Sequence, residues 1–226
     1  MGDGRYVDRV DAGRRLAEAL RPFAGVPNLL VLALPRGGVP VAYEVARALN
    51  APLDIFLVRK LGVPGQEELA MGAIASGGIR VLNHEVLRMV HVPAPVIDAV
   101  AERELAELER REIAYRDDRP EPAIAGRTVI LVDDGLATGS TMRAAVAALR
   151  TQHPRALVVA VPVAARETCE SFLAEVDHVV CPLTPEPFHA VGMWYHDFSQ
   201  TTDNEVRHLL ALARQQTAGA PGTGDP

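Results

Sequence analysis

Apolar and polar positions along the chain follow two rhythms. Short, largely apolar runs occupy residues 29–34, 53–58, 129–132, 156–163 and 178–181. Runs of this length, rich in Val, Leu and Ile, fit strands buried on both faces. Between them lie longer stretches with helical spacing. Residues 8–20 set Val10, Leu16, Ala17 and Leu20 among arginines and acids, which predicts an amphipathic first helix ended by the proline-bearing segment 22–27. Further helices are predicted over 39–49, 94–115, 142–150, 167–174 and 202–214. Within 94–115, Ala101, Leu105 and Leu108 share a face while Glu107 and Arg111 form an i,i+4 pair. That helix should cover a sheet edge or a subunit contact, so a homodimer is compatible with the pattern. Residues 70–76 and 79–83 break the alternation: they are apolar runs joined through Gly77 and Gly78, the mark of a β-hairpin.

Strands alternating with helices predict an α/β fold, a mostly parallel sheet with helices on both faces. The 226 residues suit one domain over 1–214. The Gly/Pro/Thr-rich segment 215–226 is expected to be disordered. Ligand loops of such a sheet lie at the carboxyl ends of its strands. Three candidates are expected there: residues 36–38, Arg59 with Lys60, and residues 133–141.

The third carries the most chemistry. From Thr128 it reads TVILVDDGLATGST: a buried strand, two acids, a small-residue turn with three hydroxyls, then a helix. Loop amides, hydroxyls and the helix dipole can converge on one phosphate. The acids Asp133 and Asp134 narrow the ligand, because carboxylates beside a phosphate site suit the vicinal hydroxyls of a phosphorylated sugar. No lysine follows the glycine, so this is not the G-x-x-x-x-G-K-[ST] loop, and G-x-G-x-x-G does not occur in it. After the first strand, Pro35-Arg36-Gly37-Gly38 repeats the strand, small-residue loop and helix order, with Arg36 adding a fixed positive charge.

Composition excludes several classes. A net charge of −6 and a pI near 5.7 argue against a nonspecific nucleic-acid binder. Two cysteines, Cys169 and Cys181, are too few for a disulfide framework or a zinc site, and the histidines show no ligand spacing. No metal-ligand or nucleophile motif of a hydrolase is found. The polar start MGDGRYVDRVDAG is unlike a signal peptide, and no apolar run reaches membrane-spanning length. A cytoplasmic protein with no membrane partner is expected.

The stretch from Val129 to Thr141 resembles the phosphoribosyl-pyrophosphate (PRPP) motif of type I phosphoribosyltransferases, a hydrophobic strand running into two acids and a T-G-x-T loop. The resemblance implies that Asp133 and Asp134 face the ribose hydroxyls. Gly135, Ala137, Thr138, Gly139, Ser140 and Thr141 would cradle the 5′-phosphate. A branched side chain at Gly139 would then fill the anion's place and leave the fold intact. PRGG looks like the family's pyrophosphate loop, with Gly37 and Gly38 presenting amides and a cis peptide between Pro35 and Arg36. Arg59 and Lys60 would reach the same pyrophosphate. Residues 61–83 look like the family's flexible flap, dispensable for PRPP affinity between Gly65 and Asn83, and residues 182–200 like a hood.

Residues 188–198, FHAVGMWYHDF, gather four of the ten aromatics in a chain with only 4% of them. Phe188 and Trp194 compete to stack on a base, Phe188 being preferred. Magnesium is implied as cofactor, with Asp134 and Asp197 beside it. Asp133, Asp134, Arg36 and Lys60 would carry catalysis. The implied reaction is transfer of phosphoribosyl from PRPP to a nitrogen base, purine favoured, with release of pyrophosphate. Ala137 replaces the Asp that handles the base proton in 6-oxopurine enzymes, and flap residues Glu67 and Glu68 do not align with the adenine enzymes' glutamate. The alternative is a PRPP-binding regulator without transferase activity.

Overall fold

The computed structural model describes residues 4–116 and 120–218, apart from the side chain of Glu68. A five-stranded parallel sheet forms its centre. The strands are β1 (Leu29–Ala33), β2 (Leu53–Ile55), β6 (Thr128–Val132), β7 (Ala156–Ala160) and β8 (His178–Val180), in the order β2-β1-β6-β7-β8. A second, antiparallel sheet holds β3 (Val58–Val63), β4 (Gln66–Ala75) and β5 (Ile79–Leu82). The helices are α1 (Arg9–Ala19), α2 (Gly38–Leu49), α3 (His84–Val90), α4 (Ala94–Arg116), α5 (Ser140–Thr151), α6 (Arg166–Ser171) and α7 (Asp203–Ala218).

The two faces of the sheet follow from strand periodicity. Along β1, Leu29, Val31 and Ala33 join a core with Leu16, Val45, Leu108 and Leu210, while Leu30 and Leu32 join a second core with Met142, Leu149 and Phe172. Strand β6 lies between β1 and β7, all five of its residues are buried, and Leu32 pairs with Leu131. The parallel sheet with covered faces is the architecture the alternation predicted.

Four readings are revised. The run 53–58 is not one strand. Phe56 N–H still donates to Ala33 O, but Leu57 N–H turns to Ser76 Oγ, and the chain enters the second sheet. Arg59 and Lys60 therefore sit inside β3. Helix α3 was not anticipated; Asn83 caps it by accepting from the amides of Glu85 and Val86. Cys169 and Cys181, too few for a framework, nevertheless pair with each other in one disulfide joining α6 to the chain just past β8. At the C-terminus, α7 continues to Ala218, into the segment expected to be disordered, and residues 219–226 lie outside the described range.

Candidate functional site

The chain leaves β6 and is clamped into a loop before it enters α5. Leu136 N–H donates to Val163 O, Ala165 N–H donates to Leu136 O, and Thr168 Oγ1 donates to Ala137 O at 2.7 Å. Gly135 is obligatory for space, since a Cβ there would meet Val191 Cγ1 at 2.5 Å. Gly139 turns the chain at φ +71°. Its Cβ would point at Phe172, 2.9 Å away, rather than into the loop, so the expectation that a side chain at 139 would simply fill an anion's place is corrected. The loop encloses a cleft of about 200 Å³ lined by Asp133, Gly135, Val191 and residues 136–142. No side chain caps α5, and its first amides are left for a ligand. Thr138 Oγ1 lies 3.5 Å from Ser140 Oγ, and both residues are exposed, as are Ala137 and Thr141.

The acid pair is held from several sides. Asp133 Oδ1 accepts from Asp134 N–H at 2.8 Å. Asp134 Oδ2 accepts from Arg9 Nε at 2.8 Å, and Arg9 Nη2 lies within ion-pair distance of the same oxygen, also at 2.8 Å. Asp133 Oδ2 and Asp134 Oδ1 take no hydrogen bond from another residue among those described. Burial, and then the charge of Asp134, push the Asp133 carboxyl well above its ordinary value. Burial also raises Asp134, against the pull of Arg9. Tyr195 donates its hydroxyl to Asp134 O at 2.6 Å, and burial raises that phenol strongly. Sequence reasoning missed Arg9 and Tyr195. Arg9 reads as one solvated charge of an amphipathic helix, and Tyr195 as one ring of an aromatic group.

The loop after β1 packs directly against these acids. The Pro35–Arg36 peptide is cis, as the resemblance implied. A Cβ on Gly38 would lie 2.8 Å from Val132 O, and one on Gly37 only 2.0 Å from Asp134 Oδ2. The candidate cations differ from one another. Arg36 Nη1 lies 3.7 Å from Asp203 Oδ1, the oxygen to which Tyr115 donates at 2.6 Å. Arg59 is bound to Glu104 of α4 at 2.6 Å. Lys60 is the sole lysine of the sequence, is exposed, and has no ion pair among the described residues. With Ser140 it lines a neighbouring cleft of about 480 Å³ between the second sheet and α5.

Phe188 and Trp194 are half-buried and pack into a small cluster with Tyr6, Val163 and Tyr195. The residue of that segment that lines the loop cleft is Val191, which sequence reasoning did not single out. Asp197 is exposed and accepts from Ser199 N–H, which holds its carboxyl below the ordinary value. Among the described residues no three His, Cys, Asp or Glu side chains gather as a metal centre. Two unengaged carboxylate oxygens fit an ion such as magnesium that keeps most of its ligands from substrate and water, and do not fit an all-protein cage.

Residues 6–181 match the phosphoribosyl transferase domain family, and the chain belongs to that family. It is 47% identical over 215 residues, 95% of its length, to a Mycobacterium tuberculosis H37Rv protein provisionally named phosphoribosyl transferase Rv0571c. The alignment covers 48% of that protein, so the chain spans about half the length of the curated relatives it matches. It is 46% identical to TT1426 of Thermus thermophilus, whose crystal structure superposes with a TM-score of 0.82 over 91% of this chain and 97% of that one. Bifunctional protein PyrR of Roseiflexus sp. RS-1 is 29% identical over 153 residues, 66% of this chain and 64% of that protein. The parallel sheet flanked by helices is the type I phosphoribosyltransferase fold.

Proposed function

We propose that the protein transfers 5-phosphoribosyl from PRPP to a nitrogen base, with a purine favoured, and releases pyrophosphate. One observation carries this reading: two adjacent carboxylates, each keeping one oxygen unengaged, stand beside an uncapped helix N-terminus in a hydroxyl-lined cleft. Two vicinal hydroxyls can each donate to one of those oxygens while the loop amides hold the 5′-phosphate. The reaction breaks the C1–O bond through a transition state of oxocarbenium character. Positioning and electrostatics then do most of the catalysis. Asp133 and Asp134 orient the ribose and favour its developing positive charge. Lys60 and the Gly37 amide meet the leaving pyrophosphate, joined by Arg36 and Arg59 once these leave Asp203 and Glu104; the Gly38 amide, expected to share this role, instead donates to Leu34 O. Asp134 and Asp197 would hold magnesium, whose charge would offset that of the pyrophosphate. Residues 61–83 stand in the place of a flap, anchored in the core through Leu61 and Met71, and 182–200 serve as a hood, where Val191, Phe188 and Trp194 border the acceptor.

A PRPP-binding regulator is the second reading. Ala137 favours it, because a methyl group cannot move a proton on the base. Incubation with PRPP and magnesium against a panel of purines, pyrimidines and related bases, read as pyrophosphate release, tests the proposal. Base-dependent release supports the transferase. Tight PRPP binding without release for any base supports the regulator.

A further inference from the structure

Arg9 stands where helix electrostatics disfavour it. It is the first residue of α1, directly after the cap Asp8, and a cation there opposes the helix dipole. Its side chain is nevertheless 12% exposed and held on several sides. Nε donates to Asp134 Oδ2 with Nη2 in ion-pair contact, Nη1 donates to Ser199 O at 2.6 Å, and the guanidinium lies 4.0 Å from the centroid of the Phe198 ring. A guanidinium withdrawn from water is tolerated when its N–H groups and face are matched in this way. One side of this arrangement reaches the acid pair; the other reaches the segment that follows Trp194.

The same segment is laced to the start of α1. Tyr6 N–H donates to Trp194 O, His196 N–H donates to Tyr6 O, and Asp197 N–H donates to Val7 O. Tyr195 lies between Tyr6 and Phe198 in tilted ring contacts and donates to Asp134 O. We infer that Arg9 is a positioning residue that fixes Asp134 Oδ1 as the ligand-facing oxygen and couples that carboxylate to the 191–199 segment. The inference rests on the phosphoribosyl reading, since it assigns Asp134 to the ribose. Arg9 takes Oδ2 out of play, and that oxygen sits in the space left by the missing side chain of Gly37. A lysine could neutralise Asp134 but could not also span to Ser199 O and place a guanidinium over Phe198.

Trp194 is the only tryptophan and sits in the coupled segment. Its fluorescence therefore reports whether PRPP bound at the acids is felt there. Titrating magnesium-PRPP into the unaltered protein, Arg9→Met, Arg9→Lys, Asp134→Asn and the Arg9→Met/Asp134→Asn double variant, by calorimetry and by Trp194 emission, tests the inference. Arg9→Met should bind PRPP about tenfold or more weakly, and the double variant should fall within about threefold of Asp134→Asn alone, because Arg9 acts through that carboxylate. Arg9→Lys should recover part of the affinity but leave the Trp194 response at saturation absent. That variant keeps a cation at the site and decides the matter if Arg9→Met does not fold. Affinity and Trp194 response unchanged in Arg9→Lys and Arg9→Met, or fully additive losses in the double variant, would overturn the role of Arg9. Absence of PRPP binding by the unaltered protein would instead overturn the phosphoribosyl reading, and the inference with it.

Discussion

Gly37 and Asp134 meet so closely that a methyl group on Gly37 would lie 2.0 Å from Asp134 Oδ2. The backbone at Gly37 is ordinary, at φ −60° and ψ −34°, and alanine adopts it without strain. Gly37→Ala should therefore act by displacing the Asp134 carboxylate and its contact with Arg9, not through backbone strain. Magnesium-PRPP affinity should fall by more than about tenfold, roughly 1.4 kcal/mol, while the circular-dichroism spectrum stays that of the unaltered protein. Calorimetric titration of the variant checks this.

Gly139 presents the opposite case. At φ +71° an alanine is strained by about 1–2 kcal/mol, and its methyl group would press on Phe172 in the core. Gly139→Ala should lower the melting temperature as well as PRPP affinity. A thermal melt separates it from Gly37→Ala.

Met71 shows how firmly the second sheet is rooted. Its side chain is fully buried, Ile74 and Ala75 beside it belong to the two cores, and Met71 O accepts from Asn83 N–H. Removing the chain between Gly65 and Asn83 would strip these residues out, so the expectation that this segment is dispensable does not suit the structure. Met71→Ala should destabilise the protein by about 2–5 kcal/mol, measured by chemical denaturation.

Glu104 titrates with a sign that can be worked out. Burial alone would raise its carboxyl, but hydrogen bonds from Arg59 and Arg103 outweigh that and leave it below the ordinary value. A depressed native pKa adds stability above the unfolded value, and that stability is lost as pH falls through the native value. Glu104→Gln should melt lower than the unaltered protein at pH 7. The gap should close below about pH 4. At pH 7 the variant also frees Arg59, and tighter binding of magnesium pyrophosphate is expected by calorimetry.

The stretch from Thr128 to Thr141 was legible because all of its signals are contiguous: an apolar strand, two acids, small loop residues, then a helix. The β4–β5 hairpin was legible for the same reason, its turn being marked by Gly77 and Gly78. The division of 53–58 was not, since Phe56 and Leu57 are apolar like their neighbours and no Gly or Pro marks the turn between sheets. Arg9 with Asp134, 125 residues apart, leaves no period to read. The engagement of Arg36 by Asp203 and Arg59 by Glu104 was hidden likewise, because each partner comes from a helix whose charges read as solvated. Cys169 and Cys181 raised the question of a framework, whereas their pairing depends on where α6 and β8 meet.

The solitary lysine makes the site chemically addressable. Arginine guanidiniums stay protonated and do not react as amines, so Lys60 offers the one side-chain amine of this sequence to acylating or reductive-amination reagents. A fluorophore attached there would stand where β3 approaches Ser140, at the mouth of the cleft. Protection of that amine by a phosphorylated ligand would then be a direct footprint of occupancy, obtained from a single modified peptide.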